Sequence, residues 1–452
     1  MTVGTPYWFQ PASLETPPLS GAKVLQKDQP PPGWSFCLFW LVSVESMKNR
    51  LSPRDHIAIG AVRFVNWASR VLKRGSGTVA GGQIGLLISP RLLRNLSRGR
   101  QVVLVSGTNG KTTTTAMVSA GWGGPVATND TGANMLAGHV AALVGSASEH
   151  VVLEVDEAWL PDAISSIEPA VVVLLNLSRD QLDRSSEVRQ MAERWRACLT
   201  GSMKDTRVVV ANANDPLVVH AASGAGRVIW CDVPTDWQAD ARSCPRCTRA
   251  LERDASSWHC VCGFAKPSTL GVTLHGALVV HGVEVPLELA LPGHFNEANA
   301  AMALAALYEV GIDLLGAVTR INAVRDVAGR FTRRQWHGHT LELLLAKNPS
   351  GFDALITTVQ PGDHDLWIAI NARIADGRDP SWLYDVPFER LRGHRVWCLG
   401  DRRLDLATRL EYAGVDFEVA DDPDLIAIAK SPTPLLANYT AFSEWLEKTE
   451  SC

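Results

Sequence analysis

The chain has 452 residues, of which 46% are hydrophobic and 20% charged, and its formal net charge at pH 7 is −4. This length allows two or three globular domains, and the near-balanced charge excludes the basic footprint of a nucleic-acid-binding protein. The nearest candidate for a membrane span, residues 36–44, is far shorter than a transmembrane helix, so we expect no transmembrane segment.

The first 46 residues are rich in proline and have no regular hydrophobic pattern. This composition predicts a disordered or dispensable extension over residues 1–46, with Met47 as an alternative start. The chain has nine cysteines and no convincing secretory signal, which favours a reducing compartment. We therefore expect a cytoplasmic protein.

Two helices and a loop are predicted before the first strand. Apolar residues recur at helical spacing over residues 53–73, and a second short helix is predicted after Pro90. Between them, residues 75–85 are rich in glycine, which predicts a connecting loop, with a flap on the nucleotide side as the alternative.

The strongest motif is Gly-Thr-Asn-Gly-Lys-Thr-Thr, which lies between a predicted buried strand at residues 102–105 and a predicted helix. Backbone N–H groups of such a loop and the helix N-terminus hold phosphate groups, and lysine adds a positive charge. The general P-loop pattern has a glycine where this chain has Val105, so the match is to a shorter form, and an ordinary glycine turn is the alternative. The predicted phosphate-binding residues are Gly107, Thr108, Asn109, Gly110, Lys111, Thr112 and Thr113.

Carboxylates end the next predicted strand, in the segment of residues 150–158. Glu154, Asp156 and Glu157 lie at its carboxyl end, the edge of a parallel sheet where ligands bind. Beside a phosphate loop, carboxylates and a threonine hydroxyl can hold Mg²⁺. We predict Thr112, Glu154 and Glu157 as magnesium ligands, with a solvated acidic loop as the alternative.

Further buried strands at residues 170–175 and 207–211 alternate with helical stretches. This order predicts an α/β fold with a doubly wound parallel sheet.

An insertion at about residues 240–266 carries two close pairs of cysteines. Four thiolates on a short hairpin suit a tetrahedral structural Zn²⁺, which can fold a segment that has no core of its own. The second pair has one intervening residue instead of two, and His259 could replace one thiolate. Free cysteines or a disulfide are the alternatives. The predicted zinc ligands are Cys244, Cys247, Cys260 and Cys262.

Two asparagines, Asn296 and Asn299, lie at the start of a long alanine-rich helix. Helix capping explains Asn296 equally well, but a contact with a nucleotide base is the functional interpretation. Arg330 follows this region and could reach a phosphate. We place the end of the central domain, residues 47–330, at this arginine.

Residues 331–452 are predicted to form a smaller α/β domain, with strands at 341–346 and 366–370. Three aspartates follow the second of these strands, at Asp376, Asp379 and Asp385. Such a group at a strand end indicates a site, although Asp379 before a proline could simply cap a turn.

Taken together, these motifs resemble the Mur ligase superfamily, and within it the MurT-type synthetase subunits of lipid II isoglutaminyl synthase. The resemblance covers the chain from about Met47 to its end. It rests on the Gly-Thr-Asn-Gly-Lys-Thr-Thr loop, the four-cysteine insertion, Asn176 with the run at residues 179–184, and the segments at 347–351 and 375–382.

The resemblance implies an ATP-dependent carbon–nitrogen ligase with a P-loop central domain, a zinc-ribbon-like insertion and a C-terminal α/β domain. Its reaction would amidate the D-glutamate α-carboxylate of the lipid II stem peptide through an acyl phosphate. The cofactors would be ATP, Mg²⁺ and structural Zn²⁺, and ammonia would come from a GatD-type glutaminase in a heterodimer at the inner face of the membrane. Asp379 is the best match for an aspartate that completes the glutaminase's Cys–His pair, with Asp376 and Asp385 behind it.

The chain also departs from the Mur ligase pattern. Asp180 and Gln181 stand where many Mur ligases have Asp-His, and arginines around Arg194 and Arg196 stand where these ligases carry a carbamoylated lysine. The residues between Met47 and Gln101 are too few for a full UDP-sugar-binding domain. A Mur-type or folylpolyglutamate synthase-type amino-acid ligase and a non-catalytic nucleotide-binding subunit are the alternatives. The sequence leaves open whether lipid II or a soluble precursor is the substrate.

Overall fold

The computed structural model describes residues 51–72, 77–129, 132–179, 188–201, 208–235, 239–254, 256–327, 329–359, 365–426, 428 and 432–451. Residues from Leu51 onward form one compact unit. The predicted extension at residues 1–46 and the alternative start at Met47 lie outside the described residues. None of the described helices combines the length and the apolar character that crossing a bilayer requires.

Within the described residues, three helices precede β1 (Gln101–Ser106): α1 (Pro53–Val71), α2 (Thr78–Ile88) and α3 (Leu92–Ser97). Helix α1 begins with a capping box in which Ser52 and Asp55 bond each other's backbone N–H groups.

The predicted glycine-rich loop is wrong, because most of residues 75–85 belongs to helix α2. Its glycines allow close helix packing instead of a turn. A Cβ added at Gly85 would come 2.6 Å from Val62 of α1, and one added at Gly82 would come 1.9 Å from the Ala137 carbonyl oxygen. Tertiary contacts therefore offset the low helix propensity of glycine.

The first sheet has nine strands and confirms the predicted doubly wound core. Its middle strands are parallel, whereas β9, β10 and β11 pair antiparallel at one edge, in the order β11-β10-β9-β6-β5-β4-β1-β3-β2. The strands are β1 (Gln101–Ser106), β2 (Ala127–Thr128), β3 (His150–Val155), β4 (Val171–Leu174), β5 (Val208–Asn212), β6 (Arg227–Asp232), β9 (Val272–His275), β10 (Ala277–Val280) and β11 (Val283–Val285).

Helices cover both faces of this sheet because successive strand residues point to opposite sides. Val103 and Val105 of β1 lie in one buried core, and Val102 and Leu104 lie in another. The helices of this region are α4 (Lys111–Trp122), α5 (Leu136–Gly145), α6 (Leu160–Ile167), α7 (Val188–Gly201), α8 (Pro216–Ala222), α9 (His294–Glu309) and α10 (Leu314–Asn322).

The second sheet has seven strands in the order β16-β15-β14-β17-β13-β12-β18. Strands β12 and β13 form an antiparallel hairpin. From β13 the sheet continues through β17, β14, β15 and β16, and each of these neighbouring pairs is parallel. Its elements are β12 (Phe331–Trp336), β13 (His339–Leu345), α11 (Pro349–Ile356), β14 (Asp365–Ala369), β15 (Arg395–Leu399), α12 (Arg403–Ala413), β16 (Asp416–Val419), β17 (Thr433–Ala437), α13 (Tyr439–Lys448) and β18 (Glu450–Ser451).

The insertion contains a two-stranded antiparallel sheet of its own, β7 (Glu252–Arg253) and β8 (Trp258–His259). Trp258 attaches it to the first sheet, because its indole N–H donates to the Ala213 carbonyl oxygen just after β5, at 3.1 Å.

Candidate functional site

The predicted phosphate loop connects β1 to α4, and two of its glycines are required by geometry. Gly110 has φ of +86°, and an added Cβ there would lie 2.5 Å from the Asn299 side-chain oxygen. Gly107 has φ of +147°, and its added Cβ would lie 2.8 Å from Leu175. Both positions combine a left-handed backbone with no room for a side chain, which explains why glycine stands there.

The Lys111 side chain lies inside this loop and is only 2% exposed. Its ammonium group donates to the carbonyl oxygens of Gly107, at 2.5 Å, and Thr108, at 3.2 Å. The third partner is the carboxylate of Glu157, 3.0 Å away. The structure thus holds a buried cation at the mouth of the loop, where it can neutralise a phosphate group.

Thr112 and Glu154, two predicted magnesium ligands, are in direct contact. The Thr112 hydroxyl donates to a Glu154 carboxylate oxygen at 2.8 Å, and the Asn134 amide lies 3.4 Å from the other oxygen. This set of hard oxygen donors beside a phosphate loop fits Mg²⁺, which takes one or two carboxylates together with substrate phosphates. Glu157 instead pairs with Lys111. Its role as a magnesium ligand stays a prediction.

The backbone of Glu154 is fixed by neighbours on two sides. Asn129 makes two 2.9 Å hydrogen bonds with its backbone N–H and carbonyl groups. His139 lies 2.9 Å from the same carbonyl oxygen, and burial lowers the pKa of His139 to about 4. The imidazole is therefore neutral at pH 7 and holds the strand end in place without adding charge.

Asp156 adds a second carboxylate environment at this strand end. Burial, together with the neighbouring charge of Glu157, raises the pKa of Asp156 above its usual range. The ammonium groups of Lys111 and Lys347 partly oppose this shift. Acidic and basic groups from both sheets therefore meet beside the phosphate loop.

A cavity opens directly beside Asn109 and Gly110 and contains the three predicted nucleotide contacts, Asn296, Asn299 and Arg330. Its mostly apolar walls with a few polar groups are typical of a site for a planar ring and a sugar. The walls include Leu291, Phe295, Met302, Phe331, Leu344 and Leu355.

Capping does not explain Asn296. Helix α9 begins at His294 with Gly293 as its N-cap, and the Asn296 amide instead donates to the Pro292 carbonyl oxygen at 2.6 Å. Its side chain lies in the cavity wall with that of Asn299. The functional interpretation of both asparagines is therefore compatible with their positions.

The phosphate loop is connected to the second sheet by residues to which the sequence analysis assigned no role. Asn176, after β4, exchanges two hydrogen bonds with the backbone of Asn109, at 2.9 and 3.0 Å. The Asn109 side chain reaches Ser350 at 2.5 Å and Asn348 at 3.2 Å. Ser178 lies 3.1 Å from the same Ser350 hydroxyl. In the sequence, Asn176 and residues 347–351 were indicated only by the resemblance to MurT-type subunits, which implied no contact between them.

Asp215 lies in the cavity wall and is also the N-cap residue of α8. Its carboxylate accepts hydrogen bonds from the backbone N–H groups of Leu177, at 2.8 Å, and of Leu217, at 2.9 Å. Burial nevertheless raises the pKa of Asp215 to about 6.

The four predicted zinc ligands come together, with all four sulfur atoms within 4.8 Å of one another. The Cys244 and Cys262 sulfurs are 3.6 Å apart, and those of Cys247 and Cys260 are 3.4 Å apart. Zinc–sulfur bonds of about 2.3 Å in a tetrahedron place the sulfurs roughly 3.8 Å apart. A backbone hydrogen bond at Phe264 lowers the pKa of the Cys262 thiol, whereas burial raises the pKa of the Cys244 thiol.

His259 is not part of this cluster. Its ring nitrogen lies 3.3 Å from the Glu252 carboxylate, and its side chain is 58% exposed. The residues of the site therefore fit a four-cysteine zinc centre.

Comparison with known protein families identifies two segments. The Mur ligase middle domain matches residues 105–307, and the MurT ligase C-terminal domain matches residues 345–442. A UDP-N-acetylmuramoylalanine--D-glutamate ligase of Caulobacter sp. (strain K31) is 31% identical over 374 residues, which cover 78% of this chain and 72% of that protein.

The chain belongs to the Mur ligase family. Within it the chain is MurT-like. It is 28% identical over 430 residues to the protein named lipid II isoglutaminyl synthase (glutamine-hydrolyzing) subunit MurT of Staphylococcus aureus (strain COL), covering 87% of this chain and 98% of the relative. A pseudomurein peptide ligase type C from Methanothermus fervidus shares the fold, with a TM-score of 0.59 at 18% identity over 77% of this chain and 78% of its own. The homologues are Mur-type ATP-dependent ligases, so the chain is an enzyme of the ligase class.

The departures from the Mur ligase pattern fall partly outside the described residues, since Asp180, Gln181 and the rest of the run to residue 184 are not among them. Arg194 donates to the Ala158 carbonyl oxygen at 3.2 Å. It therefore supports the turn after Glu157.

The three aspartates of the second sheet differ sharply. Asp376 is buried and accepts hydrogen bonds from Thr440, by its backbone N–H at 2.8 Å and by its hydroxyl. Asp385 lies 3.5 Å from Arg179. Asp379 is exposed, and hydrogen bonds from Ser381 lower its pKa. Asp379 thus caps the following turn and still presents an ionised carboxylate to solvent.

We expect Gly110→Ala to weaken ATP binding at least about tenfold, because the new methyl group would strain the left-handed backbone and displace Asn299. Titration with a fluorescent ATP analogue measures the effect. The matched control is Gly124→Ala, where no heavy atom lies within 4 Å of the added Cβ. Equal affinity of both variants would contradict this geometry.

Proposed function

We propose that the chain is the synthetase subunit that amidates the D-glutamate α-carboxylate of the lipid II stem peptide, giving D-isoglutamine. The observation that carries this proposal is the match to the MurT subunit of lipid II isoglutaminyl synthase over 98% of that protein's length. The contact of Thr112 with Glu154 beside Lys111 supplies the groups that such a ligase needs. Because lipid II is linked to the membrane, the amidation would take place at the inner face of the membrane.

The first proposed step transfers the γ-phosphoryl group of ATP to the substrate carboxylate, forming an acyl phosphate and ADP. Lys111 leaves Glu157 to neutralise charge on the moving phosphoryl group, and the loop N–H groups hold the remaining phosphates. Thr112 and Glu154 would hold Mg²⁺, which would supply positive charge to offset the charge on the transferred phosphoryl group. No general base is required, because a carboxylate is already a nucleophile.

In the second proposed step ammonia attacks the acyl carbon, phosphate leaves, and the nitrogen loses a proton to give the amide. Free ammonia is mostly protonated at neutral pH, which is a physical reason for a glutaminase partner of the GatD type. The chain's own Cys398 is a poor candidate for that activity, because it is buried and burial raises the pKa of its thiol to about 12. Reactive cysteines are exposed and have low pKa values.

We propose that Asp379 completes the partner's Cys–His pair by orienting the imidazole, as the third member of a triad does. Its exposed, ionised carboxylate supports this role. The buried contacts of Asp376 are those of a structural residue.

We expect Asp379→Asn to lower glutamine-dependent amidation by the assembled complex about 100-fold or more while leaving ammonium-dependent amidation unchanged, since only ammonia production is affected. Comparison of the two nitrogen sources at one lipid II concentration measures this. The control is Asp385→Asn, at the exposed aspartate nearby. Equal losses with both sources would refute the triad role of Asp379.

Trapping with hydroxylamine tests the proposed acyl phosphate. The chain, lipid II, ATP and Mg²⁺ are incubated with hydroxylamine instead of ammonia, and the stem peptide is analysed by mass spectrometry. A hydroxamate at D-glutamate supports activation of that carboxylate. Absence of the hydroxamate, with amino-acid addition to the stem peptide when free amino acids replace hydroxylamine, would instead support a Mur-type amino-acid ligase.

A further inference from the structure

Helix α1 has a second apolar face, opposite the one that packs into the protein. Ala58 and Val62 are fully buried on the inner side. On the outer side Ile57, Phe64 and Trp67 are 65, 64 and 57% exposed. Val71 continues this row at 60% exposed. The spacings of seven, three and four residues place these side chains on one face of a helix.

Helix α2 extends this surface. It has no charged residue from Thr78 to Ile88, and Leu87 is 79% exposed, with Val79 and Ile84 each 36% exposed. Its glycines hold it against α1 and Ala137 on the inner side. We define the outer apolar face as Ile57, Phe64, Trp67, Val71, Val79, Ile84 and Leu87.

The charge around the outer apolar face is strongly positive, although the whole chain is negative. Asp55 is the single acidic residue among residues 51–100, and it is buried in hydrogen bonds with Ser52 and Ser89. At 100° per residue, Arg63 and Arg70 lie along one border of the apolar row on α1. The exposed arginines of this region are Arg54, Arg63, Arg70, Arg91, Arg94 and Arg98.

We propose that the outer apolar face docks on the surface of a membrane that contains anionic phospholipids. Its apolar side chains would enter the boundary between headgroups and acyl chains, and the arginines would contact lipid phosphates. The Phe64 and Trp67 rings lie 5.9 Å apart and form a continuous aromatic surface, which suits this boundary. Helices α1 and α2 carry no exposed acid, and Glu168, which pairs with Arg94 at 3.0 Å, offsets one arginine of this region. The remaining excess of arginine favours a lipid surface over a second copy of this chain, which would place like charges together.

Membrane docking rests on the proposed function for its biological role. A lipid-linked substrate lies in the membrane that the outer apolar face would contact. Docking would fix the chain at the depth where the stem peptide emerges. Binding to lipid itself needs neither ATP nor lipid II.

Vesicle flotation of the full chain, without nucleotide or lipid II, tests the proposal. We expect binding to vesicles that contain phosphatidylglycerol, weaker binding to pure phosphatidylcholine, and loss of binding at high salt. Phe64→Glu combined with Trp67→Glu should weaken binding about tenfold or more, because both side chains would leave the apolar boundary. The control is Leu404→Glu with Tyr412→Glu on α12, at side chains that are equally exposed.

Absence of vesicle binding, or equal binding by both double variants, would overturn the proposal. A dimer in solution that Phe64→Glu with Trp67→Glu dissociates would also overturn it, in favour of a second copy. Ile57→Ser with Trp67→Ser provides a milder pair if the glutamates reduce the melting temperature. Amidation of lipid II in detergent separates the two claims, because the Phe64 and Trp67 variant should retain it, whereas failure of the proposed function abolishes it in every variant.

Discussion

Lys111→Ala is expected to reduce ATP-dependent amidation about 1,000-fold or more, with either glutamine or ammonium as the nitrogen source. The ammonium group is a buried cation at the mouth of the phosphate loop. Because the position is buried, a cation from solvent would not take its place. Initial rates of ADP release and of amide formation measure the loss. Lys111→Gln should lose as much activity while retaining donors for the Gly107 carbonyl oxygen.

The matched control for Lys111 is Thr115→Ala in the same helix. Thr115 is buried, and its hydroxyl makes no hydrogen bond within the described residues. Its removal should leave the rate within about threefold of the wild type. Substantial activity in both Lys111 variants, with their melting temperatures unchanged, would refute the role of this lysine.

Cys244→Ser combined with Cys247→Ser should abolish zinc binding and lower the melting temperature by several degrees. The cysteine region has only a small core of its own, built around Trp258 and Phe264, so much of its folding free energy would come from the metal. Metal analysis of the purified chain and thermal unfolding measure the two effects. Because Trp258 bonds to the Ala213 carbonyl oxygen near the cavity, ATP affinity should also fall.

The control for the zinc prediction is Cys198→Ser, at a half-buried cysteine outside the cluster. It should retain zinc and most of the stability. A wild-type chain that is free of zinc after purification under metal-replete conditions and equally stable in a strong chelator would contradict a structural zinc centre.

Local patterns predicted the parts of the site that lie close together in the sequence. The phosphate loop and its lysine occupy adjacent positions, and the four cysteines lie within a single short segment, so spacing alone indicated their chemistry. Strand-end position indicated Glu154 and Glu157 together, and only the tertiary contacts separate them, since Glu154 bonds to Thr112 whereas Glu157 pairs with Lys111. In each case the chemical group and its backbone geometry are encoded by the same few residues.

Contacts between distant segments could not be predicted in this way. Asn109 bonds to Ser350, 241 positions away, and neither residue type indicates the other. The glycines of α2 led to the prediction of a loop, because their close packing partners, Val62 and Ala137, are known only from the tertiary structure. The outer apolar face likewise required knowledge of which side of α1 is buried.

The most direct test of the account is amidation of lipid II by the purified chain with ATP and Mg²⁺, using ammonium chloride at high pH in place of glutamine. We expect mass spectrometry to show the α-carboxyl group of D-glutamate converted to an amide, its hydroxyl replaced by an amino group, and we expect Lys111→Ala to abolish this product. ATP binding without any amidated stem peptide, both alone and with a GatD-type partner and glutamine, would contradict it.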